Sequence, residues 1–167
     1  SIDHRQAAVD AVQYLLNRGH RRIALIAADE TFRWARQRHE GYAEALARAG
    51  VMIDPALVRI VPGTDFALGA QEAGALLSLQ SPPNAVFAVS DTLAIGAIKA
   101  LRRAGRRVPD DIAVVGFDDS LAARLGDRQA GAHGKHYGKA HTVERLGQFR
   151  FAGEMVHQTV GSLSGGR

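Results

Sequence analysis

Two hydrophobic periods alternate along this chain, and no other feature restricts its fold as much. Apolar residues recur at helical spacing in four segments: 5–18, 34–49, 66–79 and 91–104. Four short runs lie between or after these segments: 23–27, 58–61, 85–89 and 112–117, each of them apolar except for Arg59 in the second. The first and last of these runs are apolar on both faces, which is typical of strands buried in a parallel sheet. The alternation predicts an α/β fold in which helices cover both faces of a parallel sheet.

Glycine residues follow three of the predicted helices. Gly19, Gly50 and Gly105 stand just after the last residue of helical spacing, where a left-handed backbone conformation commonly ends a helix. Pro109 prevents the fourth helix from continuing. These residues predict connections of only a few residues between helices and strands.

The composition excludes several classes of protein. With 167 residues, of which 46% are hydrophobic and 23% charged, the chain matches one globular domain and not a disordered segment. It has no cysteine, which excludes a disulfide scaffold, a thiolate nucleophile and a zinc finger. No apolar run reaches the roughly 18 residues that cross a bilayer, and the first residues lack the layout of a signal peptide. We therefore expect a cytoplasmic protein that does not bind a membrane.

The net charge of +4 comes from one part of the chain. Residues 1–120 hold 14 Lys/Arg and 14 Asp/Glu, whereas residues 121–167 hold 7 and 3. A DNA-binding surface needs clustered cations that displace counterions from phosphates, and the first 120 residues have no such excess. Direct binding of DNA by this chain is therefore not expected.

The stretch 126–141 breaks the alternation, because it is rich in Gly, His and Lys and has no apolar period. It is predicted to be a loop. The spacing of His133, His136 and His141 suits a metal ion, but the neighbouring glycine and lysine residues favour a solvated loop, so no metal is expected. After this stretch, 142–143 is predicted to be a short strand and 149–160 a closing helix.

Ligands of open parallel sheets bind beyond the carboxyl ends of the strands, so the residues that follow each predicted strand are candidates for a site. They combine carboxylates, a guanidinium, hydroxyls and aromatic rings: Asp29, Thr31, Phe32, Trp34, Arg36, Asp65, Phe66, Ser90, Asp91, Asp118 and Asp119. Carboxylates and arginine bind hydroxyl groups, and an aromatic face stacks on the C–H groups of a ring. The set therefore suits a polyhydroxylated ligand.

Each candidate also has a structural role that the sequence leaves open. Ser90 or Asp91 can cap the helix that follows, with Asp91 favoured. Asp118 can end its strand in a turn. Arg36 can be one of several solvated arginines, and the aromatic residues can fill the core.

Several short motifs in a fixed order resemble the effector-binding domain of lac repressor/gal repressor transcription regulators. They are Gly19-His20-Arg21-Arg22-Ile23-Ala24, Ala35-Arg36 with Gly41-Tyr42, the run AVFAVSDTLAIG at 85–96, and Val108-Pro109-Asp110-Asp111-Ile112 before VVGFDD at 114–119. The resemblance covers residues 1–122. It implies the fold of periplasmic sugar-binding proteins, in which two α/β lobes with flavodoxin-like strand order enclose a ligand cleft.

By this resemblance the chain is mainly the second lobe of such a domain. Residues 1–125 are the C-terminal lobe, 126–141 a flexible loop rich in Gly, His and Lys, and 142–167 a divergent closing strand and helix. The implied protein is a homodimeric regulator that senses a small sugar or sugar derivative and controls operator binding allosterically. It reaches operator DNA only through an N-terminal domain that this chain lacks.

The resemblance also implies four ligand-binding residues. Arg36 matches the arginine that grips hydroxyl or carboxylate groups of the effector, and Phe66 matches the aromatic residue that stacks on it. Ser90 stands where the family often has a polar Asn, and Asp118 matches the aspartate of the cleft. After Asp119 the chain departs from the family pattern, because the proline-rich stretch that usually follows is absent.

Two other functions stay open as alternatives. A sugar-binding protein of a transport system shares the implied fold, but the lack of a signal peptide and the run 19–23 favour a regulator. An α/β enzyme that acts on sugars is the third hypothesis. Because the chain has no phosphate-binding loop, no dinucleotide fingerprint and no nucleophile elbow, we expect neither an enzyme activity nor a cofactor.

Overall fold

A computed structural model describes residues 3–117 and 140–142 of the chain. These residues contain four helices: α1 (His4–Asn17), α2 (Arg33–Arg48), α3 (Phe66–Leu77) and α4 (Asp91–Arg103). The same ranges contain five strands: β1 (Ile23–Ala27), β2 (Val58–Ile60), β3 (Ala85–Ala88), β4 (Ala113–Phe117) and β5 (Ala140–Thr142). A 3-10 turn, Pro55–Leu57, precedes β2. The four predicted helices and the four predicted strands of the first 120 residues are all confirmed.

The strands form one sheet in the order β2-β1-β3-β4-β5. The first four run parallel, with Leu25 opposite Val58 and Phe87, and Phe87 opposite Val115. Strand β5 runs antiparallel to β4, with Gly116 opposite His141. The α/β class, the parallel sheet and the flavodoxin-like strand order are therefore confirmed.

The helices lie in two layers around this sheet. Because crossover connections between parallel strands are right-handed, α2 lies on one face and both α3 and α4 lie on the other. Helix α1 packs against α2, which places it on the first face. Every residue of β1, β3 and β4 is buried, as a strand between two helical layers must be.

Local sequence explains where the helices begin and end. The side chains of Asp3, Asp65 and Ser90 accept hydrogen bonds from backbone N–H groups in the first turns of α1, α3 and α4. Three glycines with φ of +92°, +72° and +84° follow α1, α2 and α4: Gly19, Gly50 and Gly105. Their predicted role in ending these helices is confirmed.

Strand β5 begins two residues earlier than predicted and occupies the end of the stretch predicted to be a loop. Pairing with the edge of β4 supplies hydrogen bonds for the backbone of Ala140, His141 and Thr142, whatever their side chains. The other residues of the predicted loop, and the predicted helix at 149–160, lie outside the described residues. So does Asp118.

Two glycines bring α3 and α4 into close contact. A Cβ atom added to Gly69 would overlap the backbone carbonyl of Leu93, and one added to Gly96 would overlap the backbone carbonyl of Phe66. Each glycine of one helix therefore lies directly on the backbone of the other. This crossing sets the distance between the amino ends of α3 and α4, which both point to the carboxyl edge of the sheet.

Substitution of Gly69 by alanine tests this crossing. Because the obstacle is backbone, Gly69→Ala is expected to lower the free energy of unfolding by about 1–3 kcal/mol. Gly74 lies in the same helix, is exposed and has open space around it, so Gly74→Ala is expected to raise that free energy by about 0.5–1 kcal/mol. Urea denaturation measures both, and equal effects of the two substitutions would contradict the close crossing.

No helix within the described ranges is both long enough and apolar enough to cross a membrane.

Candidate functional site

The strand order creates a crevice at the carboxyl edge of the sheet between β1 and β3. The chain leaves β1 toward β2 on one side, and it leaves β3 toward β4 on the other. The two connections therefore diverge, and a ligand of an open parallel sheet binds at such a point. Val89 continues β3 into this edge, since its N–H donates to the carbonyl of Ile26 in β1.

The guanidinium of Arg38 lies over this edge. Its Nη1 donates to the carbonyl of Val89 at 2.5 Å. Its Cζ lies 4.0 Å from the ring centre of Phe117, the last residue of β4, and 4.8 Å from the ring centre of Trp34. The side chain is 1% exposed. One charged group thus contacts the ends of β3 and β4 from helix α2.

Burial of a guanidinium is costly unless its N–H groups find acceptors. One further acceptor is the Nδ1 atom of His4, which lies 3.3 Å from Nε and 3.1 Å from Nη2 of Arg38. The faces of Phe117 and Trp34 add a cation–π attraction that is strongest where water is excluded. These contacts explain how the site can hold a buried charge.

The position of Arg38 follows from the helical period of α2. Residues 38, 41, 42 and 45 recur on one face, and all four are buried. On this face the Tyr42 hydroxyl donates to the carbonyl of Ile23 at 2.7 Å, and burial raises the pKa of Tyr42 well above its ordinary range. The hydroxyl therefore stays neutral and fixes α2 on β1, one turn beyond Arg38.

The loop between β1 and α2 lines one side of the crevice. The carboxylate of Asp29 accepts the backbone N–H of Thr31 at 2.9 Å, and this hydrogen bond lowers the pKa of Asp29. Asp29 is therefore ionised at neutral pH. The carboxylate of Glu30 contacts Nδ1 of His39, and the backbone carbonyl of Glu30 accepts from Arg36 at 3.1 Å. These contacts hold the loop against the first turns of α2.

Two aromatic rings stand at the start of α2. The rings of Phe32 and Trp34 are stacked with their centres 6.4 Å apart, and Phe32 is 55% exposed. Trp34 is partly buried and packs against the core. The outer ring therefore offers an apolar face to solvent at the carboxyl edge, and the inner ring covers Arg38.

The amino end of α4 carries a network of hydroxyl groups. Ser90 is 4% exposed, and its Oγ accepts the N–H of Leu93 and lies 3.3 Å from Oγ1 of Thr92. Thr92 in turn donates to the carbonyl of Thr64 in the loop before α3. The helix cap is Ser90, whereas the sequence favoured Asp91. The backbone of Ser90 is extended, and the helix begins one residue later, so Asp91 lies in the first turn.

The four residues predicted to bind ligand have different surroundings. Arg36 is exposed and bonded to the loop, so it is not part of the buried face of α2. Phe66 is 51% exposed, with the ammonium of Lys99 at 5.8 Å from its ring centre, so it is not a core residue. Ser90 is buried and caps α4. Asp118 lies outside the described residues, and ligand binding by all four stays a prediction.

Arg38 is not among the residues that the sequence predicts to bind a ligand, because it counts there as one of several solvated arginines. Arg36 drew attention because it lies in a motif, yet the structure turns Arg38 toward the strand ends. A signal for this was present: Arg38 precedes Tyr42 by four residues and Ala45 by seven, which is the apolar face of the helix. An arginine on an apolar face must find partners inside the fold.

Within residues 3–117, no cluster of three or more His, Asp or Glu side chains is placed to hold a metal ion. His133 and His136 of the tail lie outside the described residues. The groups that line the crevice are suited to hydrogen bonding and stacking. They include one ionised carboxylate, one guanidinium and two stacked rings.

Removal of the Arg38 guanidinium is expected to destabilise the fold. Arg38→Leu leaves the Val89 carbonyl and the His4 nitrogen without this donor, and should lower the free energy of unfolding by about 1–3 kcal/mol. The exposed Arg36 provides the matched control. Arg36→Leu should change the free energy of unfolding by no more than about 0.5 kcal/mol. Chemical denaturation followed by far-UV circular dichroism measures both. If Arg36→Leu lowered the free energy of unfolding as much as Arg38→Leu, the contacts assigned to Arg38 would be contradicted.

Comparison with known proteins gives a consistent result. Residues 12–130 match the family model of the periplasmic binding protein-like domain. The chain is 42% identical over 118 residues to the HTH-type transcriptional repressor CytR of Escherichia coli (strain K12), covering 71% of this chain and 34% of that protein. It is 36% identical over 114 residues to the ribose operon repressor of Haemophilus influenzae, covering 68% and 34%. The chain thus spans about a third of the length of these curated relatives.

Solved structures give the same picture. A regulatory protein of the LacI family from Chloroflexus aggregans is 36% identical with a TM-score of 0.68, over 75% of this chain and 44% of that one. A sugar-binding transcriptional regulator of the LacI family from Escherichia coli, complexed with phosphate, is 35% identical with a TM-score of 0.67, over 74% and 44%. Both resemble this chain over about three quarters of its length.

Proposed function

The chain belongs to the periplasmic binding protein-like domain family, in the form found in regulators of the lac repressor/gal repressor family, and on this premise we propose that it is the ligand-sensing lobe of a transcription regulator. Its relatives are transcriptional regulators, so neither an enzyme activity nor a transport role is supported by them. The proposed protein acts in the cytoplasm, as a homodimer, and contacts operator DNA through a separate domain.

The observation that carries the proposal is the buried Arg38 at the crevice between β1 and β3. Its planar fork of N–H groups suits hydroxyl or carboxylate oxygens of a ligand, and the ionised Asp29 can accept hydrogen bonds from hydroxyls. The exposed ring of Phe32 offers a stacking surface. This combination fits a small sugar or sugar derivative, and the related regulator from Escherichia coli that was solved with phosphate is described as sugar-binding.

Because Arg38 is 1% exposed, a ligand reaches it only after a neighbouring side chain moves. Trp34 is that neighbour in the proposal, since its ring covers the guanidinium at 4.8 Å and is partly buried beside the exposed Phe32. The ligand would replace the ring as the partner of the charge. Replacement of the ring by the ligand would favour one conformation of the lobe over another. A difference in ligand affinity between two conformations is what couples effector binding to DNA binding.

Calorimetric titration tests the proposed site. The probes are D-ribose, D-glucose, D-galactose, D-glucuronate and adenosine, titrated at millimolar concentration because one lobe supplies only part of the contacts. At least one probe is expected to bind, and Arg38→Lys should weaken that binding about tenfold or more, since an ammonium cannot replace a planar fork of donors.

The control is Arg103→Lys, at the opposite edge of the sheet, where Arg103 is exposed in the last turn of α4. It should leave the binding unchanged. Equal affinity of the Arg38→Lys and wild-type chains for every probe that binds would show that the ligand site lies elsewhere. Absence of binding by every probe would contradict the proposed ligand class.

The chain by itself is not expected to bind DNA. Its first 120 residues have equal numbers of acidic and basic side chains, so they release few counterions from phosphates. Fluorescence anisotropy with a random duplex at physiological salt should show no binding at micromolar protein concentration. Sub-micromolar, sequence-dependent affinity would mean that the chain carries its own DNA-binding surface.

A further inference from the structure

We propose that His4 is a positioning residue for Arg38, and that through it the first turn of α1 controls the guanidinium of the candidate ligand site. The effect of His4 on ligand binding rests on the proposed function, because there Arg38 is the group that contacts the ligand. The geometry that supports it is independent of any ligand. It concerns how one buried side chain is held by a helix that precedes the sheet.

The contact between the two residues is a hydrogen bond with defined polarity. Both Nε and Nη2 of Arg38 point their hydrogens at Nδ1 of His4, at 3.3 and 3.1 Å. A guanidinium only donates, so Nδ1 is the acceptor and the imidazole carries its proton on Nε2. With Nη1 bonded to Val89, the plane of the guanidinium is fixed from two directions. Loss of His4 would remove the hydrogen bonds that hold Nε and Nη2 from one of these directions.

The first turn of α1 is itself held firmly on α2. Arg5 donates to the carboxylate of Glu44 at 2.6 Å and lies 3.6 Å from Glu40. A Cβ atom added to Gly41 would overlap the backbone carbonyl of Arg5, so the two helices touch at this turn. The carboxylate of Asp3 accepts the N–H of Gln6 at 2.9 Å and caps the helix. His4 therefore has a fixed place from which to orient Arg38.

This arrangement makes the candidate ligand site sensitive to the position of the first turn of α1 on α2. Residues 38, 41 and 44 of α2 contact the first turn of α1, and Arg38 is the member of this row that extends to the strand ends. A shift of α1 relative to α2 would therefore move His4 with it and release the guanidinium from one side.

Exchange of the Arg38 side-chain protons with solvent tests the proposal without a ligand. In the ¹⁵N-labelled chain, His4→Leu should accelerate exchange of the Arg38 Nε–H about tenfold, the factor expected when a hydrogen bond to a charged group is lost. His4→Asn should keep exchange within about threefold of wild type, because an amide oxygen can accept in place of Nδ1. His20→Leu is the matched control, since Nδ1 of His20 contacts Asn84 at the other edge of the sheet.

Exchange of the Arg38 Nε–H in these variants decides between the outcomes. Exchange that is faster in His4→Leu, and not in His4→Asn or His20→Leu, supports the proposal. Unchanged exchange in His4→Leu overturns it, and so does equal acceleration in His4→Leu and His4→Asn, because a role in packing alone would not be rescued by an acceptor.

Titration with D-ribose separates this proposal from the proposed function. If the wild-type chain binds D-ribose, His4→Leu should weaken that binding about five- to tenfold while His4→Asn and His20→Leu preserve it. If D-ribose and the other sugar probes bind no form of the chain, the proposed function fails, and the exchange result still decides the role of His4.

Discussion

The guanidinium of Arg38 brings together parts of the molecule that the sheet alone leaves separate. It extends from α2, hydrogen-bonds the carbonyl of Val89 after β3, lies over the ring of Phe117 at the end of β4, and meets His4 at the start of α1. A buried charge tolerates little displacement from its acceptors, because each lost hydrogen bond leaves a desolvated group unpaired. The carboxyl edge of the sheet is therefore organised around one side chain, and the loop and aromatic rings of the crevice take their places relative to it.

Helix crossings give this edge its shape on both faces of the sheet. Gly41 lets α1 approach α2 closely enough for His4 to reach Arg38. On the other face, Gly69 and Gly96 bring the amino ends of α3 and α4 together, and the hydroxyls of Thr92 and Ser90 connect these ends to the loop before α3. Small residues thus set the position of two groups of polar side chains. The crevice between β1 and β3 lies between these groups.

Much of the fold could be predicted from the sequence because periodicity reports burial directly. Apolar runs such as 23–27 have no polar face and are too short for a typical helix, so they predict buried strands, and Gly19 and Gly105 end helices because they adopt positive φ. The site was less predictable. Arg36 and Arg38 differ in which face of α2 they occupy, and the charge of an arginine suggests exposure until its partners are known. Two of those partners, His4 and Val89, lie 34 and 51 residues away in sequence, so no local pattern reveals them.

The fluorescence of Trp34 gives the most direct test of the claim that ligands bind at this crevice. Trp34 is the only tryptophan of the chain, and its ring covers the guanidinium of Arg38. When a sugar that binds by calorimetry is added, the emission of Trp34 should change with the same saturation curve, because the ligand displaces the ring from the charge. Arg38→Lys should shift that curve to higher concentration. A ligand that saturates the chain by calorimetry and leaves both the emission of Trp34 and its quenching by acrylamide unchanged would contradict the assignment of the crevice as the ligand site.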